Sequence, residues 1–165
     1  MLLVCTTQGC INDDEPKDGP TLTVGDHLPE FSVTLNNGEI ISPQTLEGKI
    51  SVIVFFNTGC GDCRQELPVI QQLWNQYKDD SEVVIALIAR EETEPEIEAY
   101  WNENNLTMPF SPQENRNVYS LFAPSVIPRV YISNQELIIT ASYGDTDMPS
   151  LERLISDIES LRALK

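Results

Sequence analysis

The sequence predicts an α/β sandwich, and three observations lead there. Apolar runs of strand length alternate with longer stretches whose apolar residues recur every three to four positions. Two of those runs, 51–57 and 82–89, are apolar almost throughout, the signature of strands covered on both faces. The chain has 165 residues, 41% of them hydrophobic, enough to bury one real core.

In chain order, residues 1–23 hold a short apolar start and an acidic stretch interrupted by Pro16, Gly19 and Pro20, which reads as a tether. The domain is expected over 24–165. Residues 31–35 alternate as a strand, Asn36-Asn37-Gly38 supplies a hairpin turn, and 39–42 form the partner strand. After Gly48-Lys49 comes the buried strand 51–57. From 61 to about 78, Leu67, Ile70, Trp74 and Tyr77 keep helical spacing, and the stripe extends back through Cys63 to Cys60. Pro68 falls inside this helix and is expected to kink it. A second buried strand covers 82–89, an acidic helix 94–104, and a short helix 117–122. Strands at 129–132 and 137–142 flank Ser133-Asn134-Gln135. The last helix, 149–164, buries Leu151, Leu154, Ile155, Ile158 and Leu161.

Composition narrows the function. Ten Lys and Arg against 26 Asp and Glu leave a net charge of −16, which argues against nucleic acid and anionic membrane surfaces as ligands. No apolar run approaches the roughly 20 residues of a spanning helix. A single histidine, His27, disfavours most catalytic zinc sites and Ser-His-Asp triads and reads as incidental.

Four cysteines form two unlike pairs, Cys5 with Cys10 and Cys60 with Cys63. The second pair, Cys60-Gly61-Asp62-Cys63, sits where a buried strand passes into a helix. A helix N-terminus offers free N–H groups and partial positive charge, which favour a thiolate over a thiol. The first cysteine is more exposed and attacks a disulfide; the second, one turn inward, resolves the mixed disulfide. CxxC is also half a zinc site, but Cys5, Cys10 or His27 would have to complete it across the tether, so no metal is expected.

With its flanks, this element resembles the thioredoxin-fold proteins of the TlpA/ResA type. The residues that carry the resemblance are the buried strand, Cys60-Gly61-Asp62-Cys63, Arg64-x-Glu66-x-Pro68, and Ile127-Pro128 before a later strand. It covers about 24–164. It implies a thioredoxin-like fold: a central mixed sheet, helices on both faces and an N-terminal hairpin. It also implies Cys60 as nucleophile, Cys63 as resolving thiol, Pro68 as the helix proline and Pro128 as a cis-proline beside the cysteines. Ile127, Pro128 and Arg129 then form the strand edge that docks substrate backbone, and Glu66 matches the glutamate of the CxxC-x-x-Glu element. Three positions depart from the pattern. Gly59 stands where the family has Trp, which should widen the site. Arg129 replaces a Thr. Val54 replaces the buried Asp of cytosolic thioredoxins, leaving Glu66 as the expected proton acceptor. Trp74 and Tyr77 read as core, and the acidic run 91–96 as a solvated face. Asn57 stands where peroxiredoxins carry a Thr, three before the cysteine.

Thr7-Gln8-Gly9-Cys10, followed by an acidic stretch, is similar to the end of a bacterial lipoprotein signal, although Thr7 stands where Leu is expected. On that reading the start belongs to a longer signal peptide and Cys10 carries the lipid.

The resulting expectation is an enzyme, a monomeric thiol–disulfide oxidoreductase of the bacterial periplasm or cell envelope, lipid-anchored. It would reduce disulfide-containing protein substrates, take electrons from a membrane or periplasmic donor, and use no cofactor beyond its cysteine pair. A thiol peroxidase, with Cys60 oxidised to a sulfenic acid, is the alternative. A non-catalytic envelope lipoprotein with a structural disulfide is the third reading. Asp62 is expected to disfavour the Cys60 thiolate more than Arg129 favours it, holding the potential below about −200 mV.

Overall fold

The computed structural model describes residue 19 and residues 21–164. Cys5 and Cys10, with the other residues 1–18, lie outside the described residues.

A five-stranded mixed sheet carries the fold. Its order is β5 (Phe110–Ser111), β4 (Val83–Ala89), β3 (Ile50–Phe56), β6 (Arg129–Ser133) and β7 (Ile139–Tyr143). β3, β4 and β5 run parallel, whereas β6 opposes β3 and β7 opposes β6. All seven residues of β3 are buried, which is why its sequence shows no alternation. A separate two-stranded hairpin, β1 (Val33–Thr34) with β2 (Ile40–Ile41), precedes the sheet and closes through Asn36-Asn37-Gly38, with Gly38 at φ +88°.

The helices follow from their caps. In α1 (Pro43–Leu46), Ser42 and Thr45 form a capping box and Pro43 occupies the first turn. α2 (Gly61–Tyr77) begins at Cys60 and runs on through Pro68. α3 (Glu94–Asn104) starts at Thr93, whose N–H and hydroxyl both donate to Glu96, and ends at Asn105 in the left-handed conformation. α4 (Leu151–Arg162) is capped by Ser150, which accepts from the Arg153 N–H.

These helices sit side by side. Arg64 of α2 lies over the Tyr100 ring of α3, and the Tyr77 hydroxyl donates to Glu159 of α4 at 2.8 Å. Trp101 packs on Phe56 and Phe110, so this layer covers the Phe56 face of the sheet. Phe55 points the other way. It meets Tyr119 of a 3-10 turn (Tyr119–Leu121), together with Phe122 and Tyr131, while Phe31 closes the cluster against Phe122. Helical segments thus cover both faces, with α2, α3 and α4 on one and the Tyr119–Leu121 turn on the other. Ahead of the hairpin, the Leu22 N–H donates to Phe122 O and the Leu28 N–H to Leu137 O. His27 forms a backbone bridge to Ile138.

Candidate active site

The site lies where β3 hands over to α2, facing the loop that enters β6. Residues 57–59 are fixed before the first cysteine is reached. Asn57 Nδ2 donates to the carbonyls of Arg90 and Glu91, while its Oδ1 accepts from the Gly59 N–H at 2.8 Å. A Cβ on Gly59 would stand 3.0 Å from that Oδ1. The glycine that replaces the family's tryptophan is therefore part of a tight side-chain-to-backbone turn. Thr58 is 7% exposed and held on three sides. Its N–H donates to Glu92 Oε2 at 2.9 Å, its hydroxyl donates to Glu92 Oε1, and its carbonyl accepts from Arg64 Nε at 2.5 Å.

Cys60 caps α2 with its own sulfur. Sγ accepts from the Cys63 N–H at 3.3 Å and lies 3.6 Å from the Ile127 carbonyl, to which the thiol donates. The residue is half-buried, whereas Cys63 is wholly buried; the two are not joined in a disulfide. This arrangement splits the pair chemically. The Cys63 thiol donates to the Cys60 sulfur, and with the N–H groups of Cys63 and Asp62 it pulls Cys60 down to about 6 against the cost of burial. Burial, reinforced by that donated hydrogen bond, drives Cys63 far above the ordinary thiol range, and the nearby Arg90 charge offsets only part of this.

Glu66 follows Cys63 by three residues, one turn along the same face of α2. It is 3% exposed, and its Oε1 has no hydrogen-bond partner among the described residues. Burial raises its carboxyl to about 7.

The Ile127–Pro128 bond is cis, as the resemblance implied, and Pro128 is buried next to the start of β6. Arg129 aligns with Phe55 in the antiparallel register and turns to the loop, donating from Nη2 to Ser125 O at 3.1 Å. The expected contest between Asp62 and Arg129 is resolved otherwise. The Asp62 charge does raise Cys60, but it is the weakest influence, and the same residue's backbone N–H works in the opposite direction. The hydrogen bonds at the helix start outweigh the Asp62 charge and set the thiolate.

The structure also corrects the reading of 91–96 as wholly solvated. Glu92 is 6% exposed, and burial lifts its pKa while the Thr58 hydrogen bonds pull it down. Arg90 is equally buried, with its guanidinium over the Tyr119 ring at 5.1 Å. Neither carried a sequence signal, because their partners lie 34 and 29 residues away. No group of three or more His, Cys, Asp and Glu side chains able to hold a metal occurs among the described residues.

A reduced CxxC pair at a strand-to-helix junction, faced by a cis-proline on a mixed sheet, defines the class of thioredoxin-like thiol redox proteins. The chain belongs to the AhpC/TSA family, whose model matches residues 24–142. It is 26% identical over 163 residues to the thiol-disulfide oxidoreductase ResA of Oceanobacillus iheyensis, covering 96% of this chain and 84% of that protein. Among solved structures it is similar to a thiol:disulfide interchange protein of the thioredoxin family from Chlorobium tepidum. There the TM-score is 0.70 at 18% identity, over 86% of this chain and 99% of the other. StoA from Bacillus subtilis gives 0.66 at 20% identity, over 77% and 94%.

Proposed function

We propose that this protein is a thiol–disulfide oxidoreductase that reduces protein disulfides in the bacterial envelope. The observation that carries the reading is the asymmetry of the pair: a half-buried Cys60 with its thiolate favoured, against a buried Cys63 held as thiol. Cys60 attacks one sulfur of a substrate disulfide, breaking the S–S bond and expelling the other sulfur as thiolate. Cys63 loses its proton to Glu66 and attacks the Cys60 sulfur. The bond between Cys60 and the substrate breaks, the substrate's second sulfur leaves as a thiolate that takes a proton from solvent, and the two electrons gained by the substrate come from the pair, which ends as the Cys60–Cys63 disulfide. A dithiol donor resets the pair. Ile127 and Pro128 present the backbone edge against which substrate lies, and Arg129 follows as a neighbour of that edge.

Reduction of insulin by dithiothreitol, catalysed by this protein and abolished by Cys60→Ser, tests the reading; inertness sinks it. Trapping with Cys63→Ser identifies the substrates. The family also makes a thiol peroxidase worth separating by peroxide consumption in the same preparation. Against that alternative, the Asn57 side chain is committed to three backbone contacts and does not address the sulfur. Envelope placement and lipidation at Cys10 belong to the proposal, supported by Gly9-Cys10 and the acidic stretch after it. Mass spectrometry of the protein from its own host, showing acylated or unmodified Cys10, decides them.

A further inference from the structure

The loop that faces the cysteines contains a second anomaly besides its proline. Val126 adopts φ +74°, a region that β-branched residues avoid because the backbone crowds their branched Cβ. Such a conformation persists only where neighbours over-determine it, and it then points to a role. One neighbour does so directly: the Tyr119 hydroxyl donates to the Val126 carbonyl at 2.5 Å. Tyr119 is itself fixed. Phe55 meets its ring edge-on at 5.4 Å, the Arg90 guanidinium lies over it at 5.1 Å, and 1% of the residue is exposed. The next carbonyl along, that of Ile127, is the one that accepts from Cys60 Sγ at 3.6 Å.

We infer that Tyr119 is a positioning residue for substrate capture. Its hydroxyl holds Val126 in the left-handed conformation, and the turn so imposed aims the Ile127 backbone edge at the Cys60 sulfur. The inference rests on the oxidoreductase reading and adds a specific dependence: recognition of a polypeptide backbone relies on Tyr119, whereas the reactivity of the sulfur does not. The partner class is an extended peptide segment bearing the disulfide. Arg90 contributes by seating the ring.

The test uses Tyr119→Phe, which keeps the ring and its packing and removes the hydroxyl, with its bond to Val126 O and its contacts to the Arg90 and Arg129 guanidinium groups. Two disulfides are reduced in parallel: a fluorescent disulfide-linked peptide, with dithiothreitol as the electron source, and dithiobis(nitrobenzoate), which has no backbone to dock and is given to the pre-reduced protein with dithiothreitol removed, because dithiothreitol reduces it directly. Loss of one such hydrogen bond corresponds to an increase in KM for the peptide of about three- to tenfold, with kcat held and the rate on the small disulfide within about twofold of wild type. A merely structural lesion would slow both substrates. The second variant adds Val126→Gly to Tyr119→Phe. Glycine adopts φ +74° without a latch, so the peptide KM should return toward wild type. An unchanged peptide KM in Tyr119→Phe, equal losses on both substrates, or failure of Val126→Gly to restore binding each overturns the inference. A wild type inert toward both disulfides instead overturns the oxidoreductase reading.

Discussion

Replacing Glu66 by Gln keeps the length and shape of the side chain and removes its capacity to take a proton. Cys63 is buried and strongly favours its thiol form, so resolution of a mixed disulfide requires a base beside it. Glu66, raised to about 7, is matched to that task near neutral pH. A positioned base of this kind contributes about 10²- to 10⁴-fold. The first step, attack by Cys60, draws on a thiolate with pKa about 6 and does not involve Glu66. In a single-turnover experiment with a disulfide-linked peptide, the wild type should therefore show attack half-maximal near pH 6 and resolution rising through about pH 7. Glu66→Gln should leave the first profile in place, lose the second limb, and resolve at least about 100-fold more slowly at pH 8. Resolution within twofold of wild type at that pH would refute the proton-acceptor role.

The same variant carries a stability signature with a defined sign. A carboxyl raised from its ordinary 4.5 to about 7 stays protonated in the folded protein while the unfolded chain ionises. Its contribution is fully present below pH 4.5 and is lost as pH rises toward 7. At about 1.4 kcal/mol per pKa unit, this is up to about 3 kcal/mol of stability lost by the wild type across that window. Gln does not titrate, so urea unfolding of Glu66→Gln relative to wild type should shift by up to about 3 kcal/mol in its favour between pH 4 and pH 8. A pH-independent difference would mean that the carboxyl is solvated.

Three further outcomes follow from the same geometry. Iodoacetamide should modify Cys60 with a half-maximal rate near pH 6 and leave Cys63 unmodified below pH 9, and Cys63→Ser should accumulate mixed disulfides in place of product; a more reactive Cys63 reverses the assigned roles. Asp62→Asn removes a charge that raises Cys60 while keeping the helpful N–H, so the alkylation midpoint should fall below that of wild type. Glu92→Ala leaves the buried N–H and hydroxyl of Thr58 without their acceptor and should cost about 1–3 kcal/mol in urea unfolding, whereas Glu92→Gln, which can accept from the N–H and donate to the hydroxyl, should recover most of the loss.

What was legible in the sequence is what local chemistry writes there. The buried strand, the CxxC pair at the start of a helix, Glu66 one turn on and Pro128 ahead of β6 all depend on short spacing or on periodicity. α3 falls at the expected 94–104, because Thr93 and Glu96 announce its start and Asn105 its end. α1 had comparable signals in Ser42 and Pro43 that the strand pattern around them obscured. β5 is only two residues long, too short for alternation to register, and exists because β4 offers it a parallel edge. The clamp on Thr58 had no such trace. Glu92 lies in a run of acids whose other members are exposed, and only the fold separates it from them. The direction of Arg129 was equally hidden, since strand alternation fixes its face while the loop carbonyl of Ser125 decides its contact.

Redox poise depends on which influences set the Cys60 thiolate. Side-chain charges alone pointed to a disfavoured thiolate and hence a reducing pair. The structure instead stabilises the thiolate, through the Cys63 thiol and two backbone N–H groups, to a pKa of about 6. Stabilising the reduced form makes a pair more oxidising, so the question is how far. Thioredoxin combines a nucleophile near 7 with about −270 mV, and DsbA one near 3.5 with about −120 mV. Between these points the potential rises by about 40 mV for each pKa unit removed, which places a pKa of about 6 near −230 mV. The pair should therefore lie between about −200 and −250 mV, on the reducing side of protein disulfide isomerase. A reducing poise is then predicted from a different cause: a moderate thiolate held by hydrogen bonds, not one suppressed by Asp62. Equilibration against glutathione buffers, read by the fraction of Cys60 open to alkylation, measures it. A value near −120 mV would make the protein an oxidant and overturn the reductase direction while leaving the fold and the roles of the two cysteines intact.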